Sequence, residues 1–386
     1  MTKKLYDLNS HLRYFDAKVI RCESTDNEQY KVVLDQTAFF PEGGGQKADT
    51  GTIGDVMVVD VQEENDDIIH YLNSPLQEGK LYTGAINWDV RFSRMQNHSG
   101  EHIVSGIVHD LYGYDNVGFH MSDDVITIDF NGTLTEEQLA DVEFKANQAI
   151  WSNVEITAWY PDDTELQSLD FRSKKEIEGE TRLVRIGDID LCACCAPHVS
   201  NTGEIGLIKI LSSMSHRGGI RIEMIAGDIA FNHYRHDFEQ VKNVSQLLSV
   251  KHSDIVSGID HLNSQIEELK QDKYNVCLNL TEHICNKYSS VKEGNICEFN
   301  TVLPDSMCRE FINQSCDKTN GIVAIFTGND TDGYKYIIGS KSVNLRELSS
   351  TINSALNGKG GGSPSMIQGT VNSKKDEIET YIRNLS

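Results

Sequence analysis

His98 and His102 stand four residues apart in NHSGEHIVSGIVHDLYG. On a helix that spacing sets both imidazoles on one face, with Cβ atoms about 6 Å apart, within reach of one metal ion. Far downstream, Cys194 and His198 repeat the four-residue spacing in DLCACCAPHV. Three imidazoles and a thiolate form a borderline-soft nitrogen and sulfur set that suits zinc. A lone HxxxH arises by chance on many amphipathic helices. Joined to CxxxH in the same expected domain, it predicts one zinc per chain, held by His98, His102, Cys194 and His198. HSGEH also fits H-x-x-E-H, in which the Glu of a metalloprotease is the general base. That class draws its third ligand from a distal carboxylate, whereas this chain offers Cys and His at sheet-associated positions. Glu101 is therefore expected to be a solvated helix residue, and Cys192 and Cys195 ordinary strand cysteines.

A zinc with an open position can polarise a carbonyl, bind an amine or activate water. Four fixed protein ligands describe a closed, structural site instead. Catalysis then needs a labile ligand or an expanding shell, and His198, which follows Pro197 in a turn, is the expected looser one. No G-x-S-x-G nucleophile elbow occurs in the chain.

These residues need elements to carry them. Arg91–Gly113 has apolar residues at Phe92, Met95, Ile103, Ile107 and Leu111, a helical spacing that persists despite Gly100 and Gly106. Residues 1–90 alternate short apolar runs (YKVVLDQTAFF, DVMVVDVQ, IIHYL) with turns, which predicts a small β-barrel-like domain. Residues 91–230 mix helices and strands. DDVITIDFNG, EITAWY, RLVRIGDIDLCAC, GLIKILSSM and GIRIEMIAG read as strands, and TEEQLADVEFKANQAIWSN reads as a helix capped by Thr135. The expected domain is α+β with a largely antiparallel sheet. Residues 231–293 read as a helical hairpin. Its second helix, with Ser253 as cap, carries a coiled-coil seam of Ile255, Ile259, Leu262, Ile266 and Leu269. Residues 294–386 return to strands, a Gly-rich loop and a final helix, an α/β domain. The fold class expected is thus α+β and multidomain.

Composition sets the bounds. A chain of 386 residues, 39% apolar and 24% charged, holds two or three domains with real cores. No apolar run reaches the ~18 residues of a membrane span, and the first residues lack the apolar stretch of a signal peptide. Nine cysteines, an odd number with three crowded at 192–195, point to a reducing cytoplasm and metal binding, not a disulfide framework. The net charge of -23 excludes a protein that coats nucleic acid generally. The charge is uneven, however. Residues 1–230 hold 19 basic and 39 acidic side chains, whereas residues 333–375 hold 6 basic and 1 acidic. A local basic surface therefore exists in an acidic chain.

The motifs together resemble a known family. RMQNHSGEHIVSGIV resembles the first zinc motif of the alanyl-tRNA synthetase editing domain, and IGDIDLCACCAPHVSNTGEIGLIKI resembles its second, usually CGGTHV followed by NTGEIG. FFPEGGGQKADTG is similar to the family's FYPEGGGQ signature, and GFHMSDDVITIDFNG to the segment after the first motif. GKGGGSPSMIQGT resembles the Gly-rich segment of the synthetase C-terminal domain. The chain begins at the β domain with no room for an aminoacylation domain, so it resembles the free-standing AlaX editing proteins, and among them the long form.

That resemblance implies hydrolysis of Ser, and of Gly, mischarged on alanine tRNA, with no membrane involved. It implies zinc ligands at His98, His102, Cys194 and His198 and catalytic roles for Gln46, His98, His102 and Cys194. Gly43, Gly44, Gly45 and Gln46 are implied near the tRNA end. Ala196 and Pro197 stand where the family usually has Gly and Thr, which removes any hydroxyl contact at that place. A site built to hydrogen-bond the serine hydroxyl rejects alanine by about 10⁴-fold or more. Gln46 is the candidate for that bond. Lys359, Gly360 and Gly361, set among Lys335, Lys341, Arg346, Lys374 and Lys375, are expected to offer a backbone surface to tRNA phosphate. No GK[ST] ends that segment, so it is not a P-loop. The helical and C-terminal region is expected to pair two chains. Rival readings are a Ser-tRNA(Thr) deacylase, a DHH-type phosphoesterase, whose DHH motif is missing here, and a non-catalytic tRNA-binding module with a structural zinc.

Overall fold

The computed structural model describes residues 1–25, 28–173 and 180–385. They fall into two compact units, Met1–Asn243 and Val244–Ser386. No described helix is long and apolar enough to cross a membrane.

In the first unit, six strands close on themselves in the order Tyr14–Ser24, Tyr30–Leu34, Asp67–Leu72, Val56–Glu64, Gly51–Ile53 and Leu81–Ile86. Period-two burial builds this barrel: Phe15, Ala17 and Val19 face inward from the first strand, where they meet Val32, Phe39, Val58, Val61 and Leu72. The PEGGGQ segment leaves the barrel as a tight turn. Gly43 and Gln46 exchange backbone hydrogen bonds of 3.1 and 3.0 Å.

The barrel feeds directly into the helix Trp88–Tyr112, which Gly113 ends in a left-handed conformation. Arg91, 1% exposed, anchors this helix to the barrel: its Nε donates to Asp49 at 2.9 Å and its Nη2 to the Ala38 carbonyl at 2.7 Å. Asp49 also accepts from the Phe40 amide, so one buried ion pair fixes the start of the Gly-rich segment against the helix. Met95, Ile103, Val104 and Val108 pack the helix into a core with Ile128, Ile222 and Met224.

Those last residues belong to an antiparallel sheet ordered Ile208–His216, Gly219–Ala226, Ile126–Phe130, Asn116–Met121. The helix Glu136–Trp151 is capped by Thr135, as the sequence predicts, and Gln138 completes a capping box with it. A second antiparallel sheet joins Ile156–Trp159, Leu183–Ile186 and Asp190–Ala193.

The helix Gly227–Leu248 spans the boundary between the units. In the second unit the helix Ile255–Lys287 starts after a 3₁₀ turn, His252–Asp254. Asp254, not Ser253, occupies the N-cap position; Ser253 spends its hydroxyl on the Asp254 carboxylate. Ile259, Leu262, Ile266 and Leu269, the seam read from the heptad spacing, are exposed. A five-stranded sheet follows, ordered Ile296–Phe299, Val323–Asn329, Gly333–Gly339, Met366–Val371, Gly358–Gly362, with only the first pair parallel. The Gly-rich segment is therefore an edge strand and not a loop. Its pairing with Met366–Val371 overrides glycine's poor strand propensity.

Candidate metal centre

The histidine helix is polar where a core helix is ordinarily apolar. Asn97, His98, Ser99, Glu101, His102 and Ser105 are all buried, between 0 and 2% exposed. Such burial requires partners for polar groups; Asn97 and Ser105 find theirs within the helix, and the histidine Nδ1 atoms find theirs on other elements. His98 Nδ1 donates to Gln46 Oε1 of the Gly-rich turn at 3.2 Å. His102 Nδ1 donates to Asp190 Oδ2 at 2.8 Å. His198 Nδ1 meets Ser99 Oγ at 3.0 Å.

With all three Nδ1 atoms engaged, the Nε2 atoms turn toward one point. His98 Nε2 and His198 Nε2 each lie 3.5 Å from Cys194 Sγ. His102 Nε2 is buried and finds no hydrogen-bond partner among the described residues. One donor atom from each of His98, His102, Cys194 and His198 lies within 4.8 Å of the other three. Two of these ligands come from one helix turn and two from the segment after the strand Asp190–Ala193. Gly106 permits the close approach: a Cβ there would lie 2.4 Å from the Ile189 carbonyl and 2.9 Å from Asp190 Cβ.

Electrostatics prepare the same atoms for a cation. Burial opposes a charged thiolate at Cys194, yet the imidazoles, His98 foremost, hold its pKa well below the thiol range. Burial pushes His198 down to about 3, so that ring is neutral with a free lone pair. Burial also pulls His102 down, but Asp190 and Cys194 outweigh it and raise that ring to about 9. A thiolate, three converging imidazoles and an orphaned buried nitrogen fit a zinc ion.

Gln46 is 1% exposed, and its Nε2 has no hydrogen-bond partner among the described residues. Beside it, Gly45 adopts φ +83, and a Cβ there would lie 2.6 Å from the Phe119 ring. Phe119 in turn packs on His98, with ring centroids 5.2 Å apart. Gly43 and Gly44 face Cys195, whose sulfur lies 3.8 and 3.3 Å from where their Cβ atoms would stand. Gln46 thus meets the centre at His98, while Gly43, Gly44 and Gly45 lead into it past Cys195 and Phe119. Lys359, Gly360 and Gly361 lie in the second unit, on its edge strand.

Two expectations change. Glu101 is not solvated: it is fully buried and its Oε1 accepts from Ser105 Oγ and Asn116 Nδ2, both at 2.6 Å. Cys195 is not in a strand; it follows the strand's end at Ala193, exposed, against the Gly-rich turn. At His198, Ser99 holds the ring, and the Val199 amide donates to the same hydroxyl at 3.3 Å. Motif reading also missed Ser99, Phe119, Asp190 and Arg172. Only Asp190 left a local signal, an acid alternating with Cys192 and Cys194 in an otherwise apolar strand.

Comparison with known proteins found relatives that match most of this chain. A family model described as the Threonyl and Alanyl tRNA synthetase second additional domain matches residues 181–223, and one for tRNA synthetases class II (A) matches residues 6–90. The alanyl-tRNA editing protein AlaX-L of Pyrococcus horikoshii is 28% identical over 98% of this chain and 96% of its own. The alanyl-tRNA editing protein Aarsd1 of Danio rerio is 24% identical over 97% of this chain and 96% of its own. An alanine–tRNA ligase of Ignicoccus hospitalis is 34% identical over 70% of this chain, which is 31% of the ligase. The resemblance carried by the motifs therefore extends over nearly the whole chain.

Proposed function

We infer that this chain, similar along 98% of its length to an alanyl-tRNA editing protein of the long AlaX form, hydrolyses mischarged alanine tRNA in trans. The substrates are seryl-tRNA(Ala) and glycyl-tRNA(Ala), and the bond cleaved is the aminoacyl ester. The observation that carries this reading is the convergence of His98, His102, Cys194 and His198 beside the Gly43–Gln46 turn. One zinc ion held by those four residues would supply Lewis-acid chemistry to an ester carbonyl, an α-amino group or a water molecule.

The chain's own groups do the rest. Glycines at 43, 44 and 45 leave backbone without side chains beside the centre, where the tRNA end is accommodated. The unpartnered amide nitrogen of Gln46 is the donor assigned to the serine hydroxyl. An aminoacyl ester is more labile than an amide, so no nucleophilic triad is required. Lys359, Gly360 and Gly361 of the second unit contribute phosphate contacts, and the helical and C-terminal region pairs two chains. Charged tRNA places the protein in the cytoplasm.

Deacylation of Ser-, Gly- and Ala-charged alanine tRNA, beside Ser-charged threonine tRNA, tests this. Rapid release of Ser and Gly from alanine tRNA with little release of Ala is expected, and a chelator should abolish it. Equal rates on Ser- and Ala-tRNA(Ala) would refute editing. Preference for Ser-tRNA(Thr) would move the chain to the threonine system, which the matched family description also names. Zinc binding without hydrolysis would leave a tRNA-binding module with a structural metal.

A further inference from the structure

The three histidines differ in what stands behind them. Gln46 offers His98 a neutral amide oxygen, and Ser99 offers His198 a hydroxyl. Only His102 faces a carboxylate. Asp190, 6% exposed overall, accepts from His102 Nδ1 at 2.8 Å through one oxygen. Its other oxygen accepts from Arg172 Nε at 2.8 Å. Backbone bonds hold Arg172 to the same strand: its amide donates to the Leu191 carbonyl at 2.8 Å, and its carbonyl accepts from the Ala193 amide at 2.9 Å. The Arg172 Nη2 atom is buried with no hydrogen-bond partner among the described residues.

We propose that Asp190 and Arg172 are positioning residues that make His102 the anchoring ligand of the metal centre, with His98 and His198 the more exchangeable ones. The physical argument has two steps. A carboxylate on Nδ1–H fixes the tautomer, leaves the lone pair on Nε2 and raises its basicity, which an amide or a hydroxyl does far less. A buried carboxylate without a countercharge would itself draw the ring proton or relax away, and Arg172 prevents both by neutralising it. The ligand set is thereby graded. One strong anchor and two weaker imidazoles answer the difficulty that four equally fixed ligands would close the site to chemistry.

The proposal rests on the zinc reading of the site, and its test reads metal affinity, independent of any tRNA. Zinc dissociation constants would be measured on the full-length chain by competition with a chromophoric chelator, with cobalt-substituted absorption spectra beside them. Asp190→Asn should weaken zinc binding roughly 10- to 100-fold, the usual effect of losing an outer partner of a metal-bound histidine. Arg172→Ala should lose a large part of that affinity and Arg172→Lys should regain some of it. Ser99→Ala and Gln46→Ala should each weaken binding less than Asp190→Asn does. Thermal midpoints of the zinc-free proteins separate a folding defect from a metal effect: a merely structural pair would lower the midpoint and leave the affinity of folded protein unchanged. If Asp190→Asn fails to fold, the two Arg172 variants decide. Wild-type affinity in folded Asp190→Asn or in Arg172→Ala, or a larger loss in Ser99→Ala than in Asp190→Asn, would overturn the proposal. A wild-type chain that binds no zinc would instead overturn the zinc reading itself, and tight zinc binding without deacylation would overturn only the assigned activity.

Discussion

Cys194 concentrates the chemistry of the centre, because it is the one anionic donor among the four and two imidazole nitrogens lie 3.5 Å from its sulfur. Removing it takes away the thiolate and leaves only the three imidazoles. Cys194→Ala should therefore lose both bound zinc and deacylation, measured by elemental analysis and by release of amino acid. Cys192, two residues earlier, is buried in the strand and supplies none of the four donor atoms. Cys192→Ala should keep its zinc and lose about 1 kcal/mol of stability to the small cavity. A full zinc complement in Cys194→Ala would refute the ligand assignment. Glu101 shows the limit of reading one residue at a time. Charge and helical position suggest a solvated side chain, while the hydroxyl of Ser105 and the amide of Asn116, the latter 15 residues away, take it into the interior.

At the scale of elements, the histidine helix works because it lies unusually close to the strand that carries Asp190. Gly106 is the residue that allows it. Intrinsic helix propensity says that Gly→Ala gains about 1 kcal/mol. The fold says the opposite, since the added Cβ would meet the Ile189 carbonyl at 2.4 Å and that backbone has no room to yield. Gly106→Ala should destabilise the protein by roughly 1–3 kcal/mol and weaken zinc binding, as the helix moves off Asp190. Denaturant titration of the zinc-free protein reads the first effect, and a stabilised variant would show that the contact is soft.

The barrel carries its own titration. His70 is fully buried between Thr37 Oγ at 2.8 Å and the Val32 carbonyl at 3.1 Å. Burial lowers its pKa from the ordinary 6.5 to about 4. The unfolded chain thus takes up a proton that the folded chain refuses. The contribution of neutral His70 is complete above pH 6.5, falls as the pH drops toward 4, and amounts to on the order of 3 kcal/mol. Urea midpoints of wild type should decline across this window more steeply than those of His70→Gln; parallel declines would remove His70 as the cause.

The whole molecule divides its tasks by charge and by chain. All four donor residues precede Asn243, the end of the first unit, and residues 1–230 carry a net charge of -20. Residues 333–375 carry five net positive charges. A truncation after Asn243 should keep the metal centre, bind tRNA more weakly and show a shallower salt dependence, since each phosphate contact contributes roughly one unit to that slope. Single-turnover deacylation at high enzyme concentration should persist. Titrations at several salt concentrations check this, and an unchanged affinity and slope would show that the second unit does not hold the tRNA.

What the sequence determined by itself was the set of side chains with chemistry and the local elements that bear them. Two four-residue spacings, a Gly-rich turn, Thr135 as a cap and period-two strands are all properties of short windows, and a local pattern expresses local geometry directly. The tertiary structure alone decided what each of those residues faces. Asp190 behind His102, Ser99 behind His198, Arg91 on Asp49 and the burial of Glu101 depend on pairs between 15 and 99 residues apart. The Gly-rich segment near the C-terminus became a strand because Met366–Val371 lay ready to pair with it. Such outcomes follow from which surfaces exclude water together, and the pattern of one strand or helix does not show which partner it will meet.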